Sequence, residues 1–262
     1  MKITSKDGTQ IAYDKTGNGP ALIIVDGAFG YRQNGNTREL VKLLADHFTV
    51  YDYDRRGRGE STDTQPYSVD REIEDLNALV EASGESPFVC GFSSGCGLVL
   101  QTVDQGRKFK KIALYEPPYV AIHKEDKLPV KEVIKTIEDL ISRGKKTTAV
   151  NYFLKKVVCI PGILLFFIRL FNPSGWKKNE SIAHTLLYDL AVMGDLRFPQ
   201  GLASNNLSPV LAIGGEKSPE RLTNGVKNVA KHVPNSETLF LKGQTHNVSM
   251  KAIAPELIRF FK

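Results

Sequence analysis

Short apolar runs alternate along the chain with segments whose apolar residues recur every three or four positions. The runs at residues 21–25 and 48–53 are apolar on both faces, which is typical of strands in a covered parallel sheet. Residues 37–45 and 70–82 have helical periodicity, and Ser68 is placed to cap the second helix. This alternation predicts an α/β protein with a mostly parallel central sheet and helices on both faces.

The two ends of the chain fit the same pattern. Residues 2–13 alternate around Asp7-Gly8, a dipeptide suited to a tight turn, which predicts an antiparallel hairpin ahead of the parallel strands. A closing amphipathic helix is predicted over residues 252–261. Further strands are predicted at residues 87–91, 111–115, 210–214 and 237–241.

The alternation stops between Glu116 and Asn205. Apolar residues of the segment 130–141 fall on one face of a helix, and residues 151–171 and 181–193 also have helical patterns. These patterns predict a helical insertion between two strands of the sheet.

This interruption divides the chain into two predicted units. Residues 1–116 and 206–262 form the predicted α/β core, and residues 117–205 form a helical cap, or lid. In open α/β sheets, ligands bind at the carboxyl ends of the strands. We therefore expect the cap to fold over that edge of the sheet.

The charge of the chain is concentrated in the predicted cap. Residues 117–180 contain twelve Lys or Arg and six Asp or Glu, an excess that equals the net charge of +6. Such a segment is typical of a solvated helix face, and contact with an anionic ligand or a membrane surface is the alternative. Because no basic stretch is interleaved with stacking aromatics, we expect no nucleic-acid partner.

The chain has no predicted membrane span or targeting segment. Its amino terminus lacks the apolar stretch of a secretory signal, which favours a cytoplasmic location. The longest uncharged apolar run, residues 157–168, reaches only about 18 Å as a helix, against a hydrocarbon layer of about 30 Å. Three cysteines without metal-binding spacing are typical of a reduced, intracellular chain, and we expect no metal and no cofactor.

A serine motif follows the predicted strand at residues 87–91. Gly91-Phe92-Ser93-Ser94-Gly95 matches the pattern G-x-S-x-G, in which a serine sits on a sharp turn between a strand and a helix. Such a turn projects the hydroxyl from the sheet, and its glycines permit close backbone approach. Ser93 is therefore the candidate nucleophile.

A serine nucleophile needs a base within hydrogen-bonding reach and a third group that orients the base. His246 is the candidate base, because it follows the last predicted strand in a loop from which its ring can reach Ser93. The other histidines are interpreted as structural or solvated; they are His47, His123, His184 and His232.

The elbow GFSSG, the turn DRRGRGES at residues 54–61 and the late GQTH occur in the order used by the α/β-hydrolase fold superfamily, which this chain resembles over essentially its whole length. The resemblance implies an oxyanion hole formed by the backbone N–H groups of Ala28 and Ser94. Many relatives have His where this chain has Asp26, and we interpret Asp26 as a structural hydrogen-bonding residue, with a direct catalytic role as the alternative. The arginines of the DRRGRGES turn are interpreted as partners of nearby acids rather than as anion ligands.

The position of the triad acid departs from the pattern that is usual in the superfamily. Relatives usually carry Asp a few residues after the strand that here reads VLAIG, but this chain has serine there, at Ser218. Glu116 directly follows the strand at residues 111–115 and gives the order nucleophile, acid, base. Glu116 is therefore the predicted acid, and Glu216 is the second candidate.

Together these features predict a serine hydrolase that cleaves a small or medium, largely apolar carboxylic ester through an acyl-enzyme. The pocket is expected to be lined by Phe29, Phe92, Ile163, Phe166 and Phe167. Thioester cleavage, perhydrolysis and carbon–carbon bond hydrolysis on the same residues are alternatives. A catalytically silent protein that binds a small molecule is an alternative from a different class.

Overall fold

The computed structural model describes residues 1–34, 37–84, 86–121 and 128–262. Within these ranges eight strands form one sheet in the order β1-β2-β4-β3-β5-β6-β7-β8. The strands are β1 (Lys2–Thr4), β2 (Gln10–Thr16), β3 (Ala21–Val25), β4 (Thr49–Tyr53), β5 (Phe88–Phe92), β6 (Ile112–Tyr115), β7 (Val210–Gly215) and β8 (Ser236–Leu241). Strand β2 pairs antiparallel with β1 and β4, and the other neighbours are parallel. The predicted hairpin and the mostly parallel sheet are confirmed.

Ten α-helices lie in the described part of the chain. They are α1 (Thr37–Leu44), α2 (Val69–Ser83), α3 (Ser94–Asp104), α4 (Val130–Ser142), α5 (Lys146–Lys156), α6 (Gly162–Phe171), α7 (Pro173–Ser181), α8 (Leu186–Met193), α9 (Glu220–His232) and α10 (Met250–Phe261). Helix α2 begins where the sequence predicts, because the Ser68 hydroxyl accepts a hydrogen bond from the Arg71 N–H at 3.3 Å.

Helices cover both faces of the sheet. Ile23 of β3 packs in one apolar cluster with α2, α3 and α9, whereas its neighbours Leu22 and Ile24 pack in a second cluster with α1 and α10. Successive side chains of a strand point to opposite faces, so a strand between two covered faces must be apolar throughout. This explains why the run at residues 21–25 does not alternate with polar residues.

The segment between β6 and β7 contains helices α4 to α8 and a short 3-10 helix at Ala183–Thr185. The helical pattern at residues 151–171 is divided between α5 and α6, and Pro161 immediately precedes α6. Proline has no N–H to donate, so it is favoured at a helix start and disrupts a helix interior. The pattern at residues 181–193 is likewise divided by the 3-10 helix.

This helical segment packs on residues that follow two of the sheet's parallel strands. Its apolar cluster, which includes Ile137 and Phe153, contacts Ala28 and Phe29 after β3 and Leu222 after β7. The helices therefore lie against the carboxyl-end side of the sheet. The division into a core and a cap at residues 117–205 stays a prediction.

Candidate active site

Ser93 occupies a strained turn between β5 and α3. Its φ of 50° and ψ of −121° lie outside the common regions for a residue with a side chain. A Cβ atom at Gly91 would lie 2.9 Å from the Cys96 Cα atom, and one at Gly95 would lie 2.3 Å from the Val25 carbonyl oxygen. The two glycines of the motif therefore permit the close approach that the turn requires.

Glu116 directly follows β6 and also has a positive φ, of 46°. Its side chain is buried, and its Oε1 atom accepts hydrogen bonds from the Gly215 N–H at 2.9 Å and from the Ser218 hydroxyl. Its Oε2 atom lies 2.6 Å from His246 Nδ1. Burial alone would raise the pKa of Glu116, but the hydrogen bonds from His246, Ser218 and Gly215 outweigh burial and hold the pKa below its ordinary value.

His246 lies between β8 and α10, with about a third of its side chain exposed. Tyr115 helps to hold this loop, because its hydroxyl donates to the Thr245 carbonyl oxygen at 2.5 Å. With Nδ1 on Glu116, the free ring nitrogen is Nε2, and both His246 and Ser93 line the same cavity. The structure thus brings together the three predicted triad residues.

Glu216 has a different environment. It is exposed, and its Oε2 atom accepts a hydrogen bond from the Gly243 N–H at 2.9 Å. Ser218, at the position where relatives usually carry the acid, donates to Glu116 instead. The geometry therefore favours Glu116 over Glu216 as the carboxylate that orients His246.

Hydrogen bonds from Arg58 hold the backbone of the loop after β3. The Arg58 guanidinium donates from Nη1 to the Gly27 carbonyl oxygen at 2.6 Å and to the Gly30 carbonyl oxygen at 3.3 Å. The Gly27 carbonyl and the Ala28 N–H belong to one planar peptide and point in opposite directions. The orientation of the predicted oxyanion donor at Ala28 is therefore coupled to Arg58.

The second predicted oxyanion donor, the Ser94 N–H, is in the first turn of α3, where amides have no partner within the helix. The Ser94 hydroxyl donates to Asp189 Oδ1 at 2.7 Å. Asp189 is fully buried on α8, and its two carboxylate oxygens also accept from Arg55 and Arg58, both at 2.8 Å. The loop after β3 and the first turn of α3, which carry the two predicted oxyanion donors, thus contact one buried ionic network.

The other contacts of these arginines confirm the sequence interpretation that they pair with acids. Arg55 binds Glu72 through Nε at 2.6 Å and Nη2 at 3.0 Å, and Arg56 binds Asp75 through Nε at 2.6 Å and Nη2 at 2.7 Å. Sequence reasoning did not find Asp189, because no local pattern relates an acid on α8 to a turn about 130 residues earlier.

A cavity of about 460 Å³ opens beside Ser93 and His246. Two of the predicted pocket residues, Phe29 and Phe92, line it. Its apolar wall is completed by side chains that the sequence analysis did not single out, and these are Phe153, Leu154, Val158, Ile160, Val248 and Met250.

The prediction that Ile163, Phe166 and Phe167 line this pocket is wrong. They lie on α6, are 67%, 59% and 44% exposed, and do not contact the cavity. Val158 and Ile160, in the connection between α5 and α6, line the cavity instead. The break before α6 turns the remainder of the apolar run away from Ser93.

A second cavity, of about 40 Å³, adjoins the same two residues. Ser93, His246 and Ala28 line both cavities, so the two spaces meet at the predicted reacting centre. Apolar side chains form most of the smaller space, and these are Val120, Phe153, Val157, Val158, Met193, Leu196 and Leu222.

The other described histidines lie away from both cavities. His184 Nε2 is 3.6 Å from Asp63, and His232 Nδ1 is 2.8 Å from the Asn228 carbonyl oxygen. His47 packs against Phe48, whereas His123 lies outside the described residues. Over the described part of the chain, no group of three or more His, Cys, Asp or Glu side chains is placed to hold a metal ion.

Comparisons with known proteins identify the family of this chain. A family model described as the alpha/beta hydrolase fold matches residues 20–143. An alpha/beta hydrolase from Sphaerobacter thermophilus is 39% identical over the whole of both chains, with a TM-score of 0.93. The chain belongs to the alpha/beta hydrolase family, as its motifs predict.

More distant solved structures share the fold. An esterase from Rhodococcus sp. ECU1013 is 17% identical, with a TM-score of 0.71, over 100% of this chain and 98% of that one. A bromoperoxidase from Bacillus anthracis is 19% identical, with a TM-score of 0.70, over 100% and 99% of the two chains. No helix within the described ranges has both the length and the apolar character needed to cross a bilayer.

Proposed function

We propose that this chain is a serine hydrolase that cleaves a carboxylic ester through an acyl-enzyme, with Ser93, His246 and Glu116 as its triad. The observation that carries the proposal is the 2.6 Å contact between Glu116 Oε2 and His246 Nδ1 at the cavity that Ser93 also lines. A buried carboxylate on Nδ1 fixes the tautomer that leaves Nε2 free to accept the serine proton.

In this mechanism the Ser93 hydroxyl attacks the ester carbonyl carbon and passes its proton to His246. The N–H groups of Ala28 and Ser94 stabilise the oxyanion, and Glu116 stabilises the imidazolium. His246 then protonates the departing alcohol, which leaves an acyl group on Ser93. A water molecule, deprotonated by His246, attacks this acyl-enzyme and releases the acid.

The two cavities point to the shape of the substrate. An ester carbonyl carries two substituents, and the two spaces that meet at Ser93 measure about 460 Å³ and about 40 Å³. One substituent must therefore be short, of a few carbon atoms, whereas the other can be larger. The apolar walls favour uncharged groups in both.

Labelling with a fluorophosphonate probe tests the nucleophile. The wild-type protein is expected to react, and the Ser93→Ala variant is not. The Ser86→Ala variant is the matched control, because it removes an exposed serine hydroxyl that lines neither cavity and keeps Ser93. A wild-type protein that is folded but unlabelled would support a silent binding protein and contradict the proposal.

A series of p-nitrophenyl esters tests the proposed substrate shape. Because p-nitrophenol is itself bulky, we expect acetate and butyrate esters to be cleaved with a higher kcat/KM than dodecanoate. Equal rates across the series would contradict the two-cavity interpretation and leave the triad assignment unaffected.

A further inference from the structure

Helix α6 exposes an unusual amount of apolar surface. Its sequence, GILLFFIRLF, contains one charged residue, and Leu165 is its only buried side chain. Seven large apolar side chains are exposed by 39% to 79%; they are Ile163, Leu164, Phe166, Phe167, Ile168, Leu170 and Phe171. Elsewhere in the described chain the exposed large apolar residues are Met1, Leu207 and Phe240, which lie singly in the sequence. A contiguous apolar patch of this kind marks an interaction surface.

Basic residues flank this helix in the sequence. Residues 146–181 contain six Lys or Arg, and Glu180 is their one acid. Two of the basic residues, Lys155 on α5 and Arg169 on α6, line a shallow surface depression together with Phe166. Cationic side chains beside exposed aromatic and aliphatic ones are complementary to a partner whose outer layer is negatively charged and whose interior is apolar.

We propose that α6 docks this protein on the surface of a membrane that contains anionic phospholipid. Ten residues give a helix about 15 Å long, too short to span the hydrocarbon layer but suited to lie in the headgroup region. The apolar side chains enter the acyl boundary, and Lys155 and Arg169 contact the phosphates. A second copy of the chain fits less well, because a symmetric contact would place these cations opposite each other.

The docking surface adjoins the candidate active site. Val158 and Ile160, directly before α6, line the cavity beside Ser93 and His246. A membrane-bound protein would therefore hold the cavity close to the lipid. Binding itself requires no turnover at Ser93, so a test of docking is independent of the proposed ester hydrolysis.

Sedimentation with vesicles tests the proposal, using the full-length Ser93→Ala variant so that lipid hydrolysis cannot affect the result. The protein is expected to sediment with vesicles of phosphatidylcholine and phosphatidylglycerol in equal parts. It should remain in the supernatant with phosphatidylcholine alone, and raising the salt to about 0.5 M should release it, because salt screens the headgroup charge.

Two sets of variants test whether the apolar side chains of α6 and the neighbouring cations bind the vesicle. Replacing Phe166, Phe167 and Phe171 together with serine should weaken vesicle binding by at least about tenfold, whereas Leu207→Ser should not change it. Lys155→Gln with Arg169→Gln should also weaken binding, whereas Lys227→Gln with Lys231→Gln on α9 should not. Circular dichroism of each variant confirms that it is folded.

Other outcomes would overturn the proposal. Protein that stays in the supernatant with anionic vesicles at low salt would contradict it, as would a folded triple serine variant that binds like the parent. A parent protein that is dimeric in analytical ultracentrifugation, together with a monomeric triple variant, would assign α6 to a second copy instead.

Discussion

The hydrogen bonds to Glu116 determine the charge state of this carboxylate. Three donors converge on its two oxygens, from Gly215, Ser218 and His246, while its side chain is buried. The hydrogen bonds that lower the pKa of Glu116 keep it ionised. Only an ionised carboxylate can stabilise the positive charge that His246 acquires when it accepts a proton. Ser218, which follows β7, thus helps to keep the carboxylate that follows the neighbouring strand β6 ionised.

The first prediction is that Glu116→Gln lowers ester turnover by about 10³ or more with little change in fold, because the neutral amide cannot stabilise the imidazolium. Steady-state kinetics on a short-chain ester measure this effect. Glu216→Gln is the control and should be near wild type, since Glu216 contacts Gly243. The opposite result would transfer the role of the acid to Glu216.

A second prediction concerns Arg58, which we regard as a positioning residue. Lysine cannot bind both the Gly27 carbonyl and Asp189, as the guanidinium does through Nη1 and Nη2. Because the Gly27 carbonyl and the Ala28 N–H share a peptide, Arg58→Lys should lower kcat by about tenfold, with a smaller change in KM.

Arg56→Lys is the matched control for this prediction. Arg56 is a buried arginine of the same turn, but it binds Asp75 and Asp7. Its replacement should affect stability more than kcat. Equal losses of kcat in the two variants would argue that Arg58 serves the fold alone.

A third prediction concerns Asp26 and pH. Burial raises the pKa of Asp26 to about 6, despite a hydrogen bond from the Gly27 N–H and the charges of Arg58 and Arg55. Its Oδ2 atom is inaccessible and has no hydrogen-bond partner among the described residues. Because the pKa is higher in the folded than in the unfolded chain, this group favours folding below about pH 4, and that contribution is lost between about pH 4 and 6.

Asparagine keeps the shape of this side chain and removes its charge. The free energy of unfolding of Asp26→Asn, relative to wild type, should therefore rise by about 2 kcal/mol between pH 4 and pH 7. Urea unfolding at a series of pH values measures the difference. A difference that is constant with pH would mean that folding does not change the pKa of Asp26 and would contradict this prediction, and a difference that falls with pH would mean that folding stabilises the carboxylate.

At the scale of elements, the sequence determines most of the sheet and much less of the helical segment between β6 and β7. Strands β3 and β5 are short apolar runs with polar residues after them, and the pattern is recognisable locally because both faces of these strands are buried. Helix α6 lies largely within the longest uncharged apolar run of the chain, but its composition does not specify what it contacts.

In the candidate site, too, some residues could be predicted from local sequence patterns and others could not. Ser93 could be predicted because its motif is local, and Glu116 because it ends a recognisable strand. The pocket wall could not be predicted, because Phe153 and Val158 reach the cavity only through the packing of α5 on the loop after β3. Burial in the helical segment depends on contacts between distant parts of the chain.

The fourth prediction tests how α8 is attached to the core. Asp189 on this helix receives charged hydrogen bonds from Arg55 and Arg58, and all three side chains are buried. Removing one member of a buried ionic group leaves its partners uncompensated, at a cost of about 3 to 5 kcal/mol. Asp189→Asn should therefore lower the free energy of unfolding by about 3 kcal/mol, measured with urea.

The control for Asp189 is Glu138→Gln, which removes an exposed acid from α4. Its effect should stay within about 0.5 kcal/mol, as for most surface substitutions. An Asp189→Asn variant as stable as this control would mean that the two arginines are neutralised sufficiently by Glu72 alone.

At the scale of the whole molecule, the helical segment and the sheet share their apolar cores. Val192 of α8 packs in the cluster formed by α2, α3 and one face of the sheet, and Tyr119 packs there as well. In the other direction, Phe29 from the loop after β3 and Leu222 from the first turn of α9 pack against the cluster of the inserted helices. Neither part can unfold without exposing apolar side chains of the other.

The fifth prediction follows from this sharing. Thermal unfolding should be one cooperative transition, with equal calorimetric and van't Hoff enthalpies. Phe153→Ala, which opens a cavity in the helical cluster where Phe153 meets Phe29, should lower the midpoint of that single transition without dividing it. Two separate transitions in the calorimeter would instead identify residues 117–205 as an independent cap. The helices would then contribute to the cavity beside Ser93 without stabilising the sheet that carries it.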